Sequence, residues 1–94
     1  MASAIVVIKM MPESPDVDLD RVSAEAVKII SAFTQEDAAQ IKVEKEPVAF
    51  GLVALKLAFV VDEEKGLPDS LTDDLAAIEG ANSADVIDFR RALG

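Results

Sequence analysis

Two short segments hold the side chains best placed to do chemistry between molecules. In "EPVAFGL" a large aromatic, Phe50, stands beside Gly51 within an otherwise apolar stretch, and in "DFRRALG" Arg90 and Arg91 set two of nine basic residues side by side. An aromatic next to a glycine between two strands has two uses. Either the ring tucks onto the core at a hairpin corner where the glycine meets a positive φ, or it projects as an anchor for a partner's pocket. Paired arginines likewise serve as solubilising surface charge or as multidentate donors offered to an anionic or metal-bound site.

Covalent chemistry is poorly supplied. The 94 residues include no His and no Cys, which removes the imidazole base, the thiolate nucleophile, the disulfide and the zinc-finger ligand set. Acids are abundant, 18 Asp and Glu, so chance carboxylate pairs carry little meaning. Asp16, Asp18, Asp20 and the run Asp62, Glu63, Glu64 read as solvated surface, because spaced aspartates need a loop glycine to wrap Ca²⁺ and "PDVDLD" has none. Asp73 and Asp74 suit the first turn of a helix. No acid is assigned a catalytic role.

The net charge of -9 and pI near 4.2 oppose a phosphate backbone, so direct nucleic-acid binding is not expected. "MASAIVVIKMM" lacks the basic start and small-residue cleavage site of a signal peptide. The longest uncharged run, Pro47 to Leu55, is far short of the ~20 residues that span a bilayer. One cytoplasmic domain covering residues 1–94 is expected.

The elements that must position the two segments follow from hydrophobic period. Ser3 to Met10 is apolar on both faces, as a central strand is. Pro12 and Pro15 break it, Asp16 or Asp18 caps a helix, and Leu19, Val22, Ala26, Ile29, Ile30 and Phe33 recur at helical spacing over Asp18 to Phe33. "QIKVEKE" alternates Ile41 and Val43 with Lys42 and Glu44, an edge strand with one wet side that Pro47 ends. Gly51 to Val61 forms a third strand with Val53, Leu55, Leu57, Phe59 and Val61 on one face and Leu52, Ala54, Lys56, Ala58 and Val60 on the other. Pro68 precedes an Asp69 cap, Leu71, Leu75 and Ile78 mark a short helix, and Gly80 is its expected left-handed C-cap. "ADVIDFRRALG" alternates Ile87 and Phe89 with Asp88 and Arg90 in a last strand, with Arg91 on the side of Ile87 and Phe89.

The order β-α-β-β-α-β, with doubly apolar strands one and three, predicts an α+β ferredoxin-like two-layer sandwich: a four-stranded antiparallel sheet with both helices on one face. That fold hosts many activities, so sites decide between them. An acylphosphatase-like phosphate cradle would want an arginine where "KMMPESPDVD" offers Lys9, prolines and acids. An RNA-recognition sheet would carry aromatic platforms that strand one lacks. A regulatory module binding a small metabolite at a dimer interface accounts for neither "EPVAFGL" nor "DFRR".

"IKMMPESPDVDLD", "EPVAFGLVALKLAFVV" and "IEGANSADVIDFRR" together resemble the archaeal elongation factor 1-beta family over nearly the whole chain, in order. That family supplies guanine-nucleotide exchange factors for the translational GTPase elongation factor 1-alpha and is itself ferredoxin-like. The resemblance implies a protein without covalent chemistry or a cofactor of its own, which opens the nucleotide site of that GTPase so that GDP leaves and GTP enters.

In eukaryotic relatives a basic residue near the C-terminus reaches toward the GTPase's Mg²⁺ and phosphate region, and an aromatic before strand three docks on a second domain. Arg91 and Phe50 match those positions, with Gly51 and Arg90 as their neighbours. The usual terminal lysine is here one of two arginines, and an arginine is bulkier and multidentate. The resemblance therefore leaves Arg90 and Arg91 both eligible, with alternation favouring Arg91. No larger assembly is expected of a chain that starts at its first strand, and the Ala54, Lys56, Ala58 face is the candidate surface for a second contact or a homodimer.

Overall fold

The computed structural model describes residues 3–34, 41–62, 64 and 66–91. Among them the elements run β1 (Ser3–Pro12), α1 (Leu19–Thr34), β2 (Lys42–Pro47), β3 (Val53–Asp62), α2 (Asp69–Ala76) and β4 (Ala81–Arg91). The strands form one antiparallel sheet in the order β2-β3-β1-β4. The two strands that are apolar on both sides are therefore central and the two alternating strands lie at the edges, as their patterns require.

One face of the central strands makes the core. Ala4, Val6, Ile8 and Met10 of β1 and Leu55, Leu57, Phe59 and Val61 of β3 are buried with Val22, Ala26 and Ile30 of α1 and Leu71 and Leu75 of α2. Both helices thus cover the same side. Each of the larger of these side chains, alanines aside, contributes about 1.5–3 kcal/mol by leaving water, which makes this layer the main source of stability. The opposite face carries Ile5, Val7 and Lys9 from β1 and Lys56, Ala58 and Val60 from β3, with Ile5 and Val60 exposed.

Asp18 caps α1: its Oδ1 accepts the backbone N–H of Asp20 at 3.1 Å and of Arg21 at 3.3 Å. The expected boundaries of α2 need correction. Pro68 occupies the cap position without a side-chain hydrogen bond, and Asp69 is the first helical residue, where its charge still meets the positive end of the dipole. The helix stops at Ala76, and Ile78 and Gly80 lie in the turn beyond it.

Gly80 is therefore not the helix cap. With φ +95°, it belongs to a turn that Ala81 N–H closes on Ile78 O at 2.9 Å. A Cβ there would stand 2.9 Å from Val17 Cγ1, so only glycine lets the turn lie against the chain entering α1. Arg21 fastens the same contact by donating from Nη2 to Glu79 O at 2.6 Å, and Glu13 N–H donates to Gly80 O at 2.9 Å.

Two strand ends also differ from expectation. β1 continues through Pro12, because a proline at the last position of a strand forfeits little of the ladder. β4 begins at Ala81 rather than Ala84. Gln40 and Glu63, which figured in the sequence reading, lie outside the described residues.

Candidate docking site

The hairpin between β2 and β3 is closed by residues 48–52. Val48 N–H donates to Leu52 O at 2.8 Å and Leu52 N–H donates to Ala49 O at 3.3 Å, so Phe50 and Gly51 are the two central residues of a tight turn. Both are left-handed, Phe50 at φ 63° and ψ 28° and Gly51 at φ 75°. Two successive positive φ values are what a two-residue turn needs to follow the right-handed twist of its strands. Gly51 takes that geometry without strain. Phe50 takes it at a cost of about 1 kcal/mol or more, because its Cβ crowds the backbone in the left-handed region.

The strained side chain is not repaid by burial. Phe50 is 92% exposed, whereas Phe59 is almost fully buried in the core. The ring is not tucked onto the sheet; the turn lifts it clear of the protein at the tip of the hairpin.

The second segment lies on β4. Val7 faces Asp88 across the β1–β4 ladder, but Ile8 faces Val86, so Ile87 is an extra residue and the ladder is bulged there. The expected simple alternation through Ile87 fails for that reason. Beyond the bulge Phe89 stands opposite Val6, Arg90 opposite Ile5 and Arg91 opposite Ala4. Arg91 thus shares the helix side with Phe89, and Arg90 shares the open side with Asp88. Val86, Ile87 and Phe89 remain exposed along this edge strand.

Arg90 and Arg91 are adjacent in sequence and differ in surroundings. Arg90 Nη2 lies 2.7 Å from Asp88 Oδ2, and its Nε donates to Asp88 Oδ1 at 3.3 Å. Arg91 is exposed as the last residue of β4. Alternation alone marks Asp88 as a polar position; its i, i+2 spacing from Arg90 is the sequence signal for the pair.

Phe50 and Arg91 are not brought together. The turn leaves the sheet beyond the Pro47–Val53 pair, while Arg91 lies at the end where β1 begins. Among the described residues no cluster of three or more acids is able to hold a metal ion. Ion pairs on β2 and β3 add charge of both signs: Lys56 Nζ lies 2.8 Å from Glu46 Oε2 and Lys42 Nζ lies 3.2 Å from Glu44 Oε1. Lys56, by hydrogen bonding and charge, holds the Glu46 carboxyl below its ordinary range, and Glu46 in turn raises the Lys56 ammonium. Among the described residues no helix is long and apolar enough to cross a membrane.

Phe50 and Arg91 are both exposed, at opposite ends of the sheet. Residues 5–92 match the family model of the EF-1 guanine nucleotide exchange domain. The chain belongs to that family. It is similar to elongation factor 1-beta of Methanothermobacter thermautotrophicus, 39% identical over 93 residues that span 99% of this chain and all of the relative. Elongation factor 1-beta of Methanobrevibacter smithii is 38% identical over the same shares of both chains, and that of Methanoculleus marisnigri is 40% identical over 94% of this chain and 95% of the relative. The exchange domain functions in guanine-nucleotide exchange during translation elongation.

Proposed function

We propose that this exchange domain acts on the GTPase elongation factor 1-alpha in the cytoplasm, holding it at two separated points. The observation that carries the reading is Phe50, an exposed aromatic on a strained turn at one end of a sheet whose last strand finishes at the other end in Arg90 and Arg91. Phe50, aimed by Gly51, fills a pocket on one part of the partner, since buried aromatic anchors dominate interface energy. Arg91 approaches the nucleotide site from the other end.

The chemistry asked of Arg91 is electrostatic. A cation brought near a bound Mg²⁺ weakens that ion by repulsion and competes for its anionic ligands, and the diphosphate loses the charge that clamps it. No bond is made or broken by the exchange domain, and it uses no cofactor of its own. The absence of His and Cys from the sequence is compatible with that work.

The reading is tested by loading elongation factor 1-alpha with a fluorescent GDP analogue and chasing with GTP, with and without this protein or its Arg91→Ala variant. Accelerated release that is lost in the variant supports both the partner and the terminal cation. Acceleration retained in full removes the role from Arg91, and no acceleration by the unaltered protein rejects the partner.

A further inference from the structure

The side of the sheet away from the helices carries an ordered pattern of side chains. Ile5 faces Val60 and Val7 faces Ala58 across β1 and β3, so four apolar side chains make one contiguous block. Ile5 and Val60 are exposed, and Val7 and Ala58 are half-buried. Arg90 and Asp88 flank the block from β4, opposite Ile5 and Val7, and Lys42 flanks it from β2, opposite Ala58. An apolar block with a charged rim is the anatomy of a protein interface.

Charge narrows the occupant. Three bases on this face, Lys42, Lys56 and Arg90, pair with Glu44, Glu46 and Asp88, and a fourth, Lys9, stands opposite Asp85. With Asp62 at the strand end, the described residues of the face carry four bases and five acids in a chain of net charge -9. The excess of acids therefore belongs to the rest of the chain, and two copies can approach here without the repulsion their net charge imposes elsewhere.

Size and symmetry agree. Four strands ~4.8 Å apart, paired over about eight levels of ~3.3 Å, give a face of about 500 Å², so two copies bury about 1,000 Å² in all, the lower bound for a specific interface. A two-fold axis running across the strands, midway between the Ile5 and Val7 levels, lays Ile5 on Val7 and Val60 on Ala58 of the other copy. It also sets Arg90 over the other copy's Asp88 and Lys56 over the other copy's Asp62. Each contact occurs twice, as an isologous interface requires.

We propose that the uncovered face of the sheet takes a second copy of this chain, forming a weak, reversible two-fold dimer. Phe50 stands on the turn beyond the sheet and Arg91 shares the helix side, so neither lies in this interface. The dimer and the exchange reading therefore stand or fall separately.

The full chain is followed by sedimentation equilibrium from about 1 µM to about 1 mM, the range a small interface calls for, and by methyl NMR on dilution. The expected mass rises from the 10.0 kDa of one chain toward twice that, and dilution moves the methyl resonances of Ile5, Val7 and Val60 but not those of buried Leu57. Val60→Lys, at an exposed position where a charge does not disturb the core, keeps the mass at one chain. Arg90→Asp, which sets acid over acid, weakens association about tenfold or more, and Asp88→Arg/Arg90→Asp restores it. A mass that stays at one chain at the highest concentration overturns the dimer. Association that Val60→Lys leaves intact, or that moves methyl groups elsewhere, puts the contact on another surface and overturns this one. Methyl groups that move only when elongation factor 1-alpha is added give the face to that partner instead, and the proposal fails.

Discussion

Phe50 and Arg91 stand at opposite ends of one sheet. The Pro47–Val53 pair that precedes the Phe50 turn lies level with Pro12 of β1, and Arg91 pairs with Ala4, so about 25 Å of strand at ~3.3 Å per residue separates the two levels. A partner touched at both points must be larger than a metabolite. The spacing also means that changes at one end act independently of the other, because distant sites without shared contacts add.

Replacing Phe50 separates stability from binding. In Phe50→Gly the left-handed strain disappears, offset in part by the entropy of a more flexible unfolded chain, and stability rises by about 0.5 kcal/mol or slightly more. The partner complex weakens by about 2 kcal/mol or more as the anchor is lost. Thermal unfolding and titration calorimetry with elongation factor 1-alpha check the two signs, and a marked loss of stability with an unchanged complex would restore a packing role for the ring.

At Gly80 the effect is structural. Gly80→Ala meets both a φ of +95° and a Cβ placed 2.9 Å from Val17 Cγ1, and destabilises by about 2 kcal/mol or more. Exchange by the molecules that remain folded is unaffected, since the turn lies far from Arg91. Urea unfolding gives the first quantity and exchange assays well below the melting temperature give the second.

Acid and alkali act on the Glu46–Lys56 pair with opposite signs. The carboxyl of Glu46 is lowered by Lys56, so its stabilisation is present above the ordinary glutamate pKa and is lost as pH falls through the lowered folded value. Lys56 is raised by Glu46, so its share is present below the ordinary lysine pKa and is lost as pH rises through the raised folded value. Both side chains are only partly exposed, yet solvent still screens the pair and the effect is small. Glu46→Gln should flatten the acid limb of a stability–pH curve measured by denaturant unfolding; an unchanged acid limb would show that the pair contributes nothing.

Association should depend on salt. A chain of net charge -9 is steered toward the positive regions of a partner at low ionic strength, so its association rate is expected to fall as salt is raised while dissociation changes less. Stopped-flow binding at several salt concentrations reads this directly, and a rate indifferent to salt would remove steering from the account.

Much of the fold was legible in the residues because hydrophobic period reports burial. The doubly apolar runs at Ser3 to Met10 and Gly51 to Val61 could only be central, although the second starts at Val53 because Gly51 is taken up by the turn, and the alternation around Val43 marked an edge. A cap at Asp16 or Asp18 was legible, and the structure decides for Asp18, whose short carboxylate reaches the first free N–H groups of α1. The end of α2 was not. Gly80 resembled a helix stop, yet its positive φ serves a packing contact with Val17, which lies far away in sequence.

The composition and order of residues by themselves determined the α+β class, the central strands, the hairpin at Phe50–Gly51 and the acidic surface, because each follows from local period, side-chain chemistry or charge. Tertiary structure alone decided that Phe50 is exposed in a strained turn, that a bulge at Ile87 resets the faces of β4, and that Arg90 lies on Asp88 while Arg91 faces the other way. Those are outcomes of strand register. A shift of one residue moves a side chain to the opposite face of a sheet, and register is set by the pairing of whole strands rather than by any residue within them.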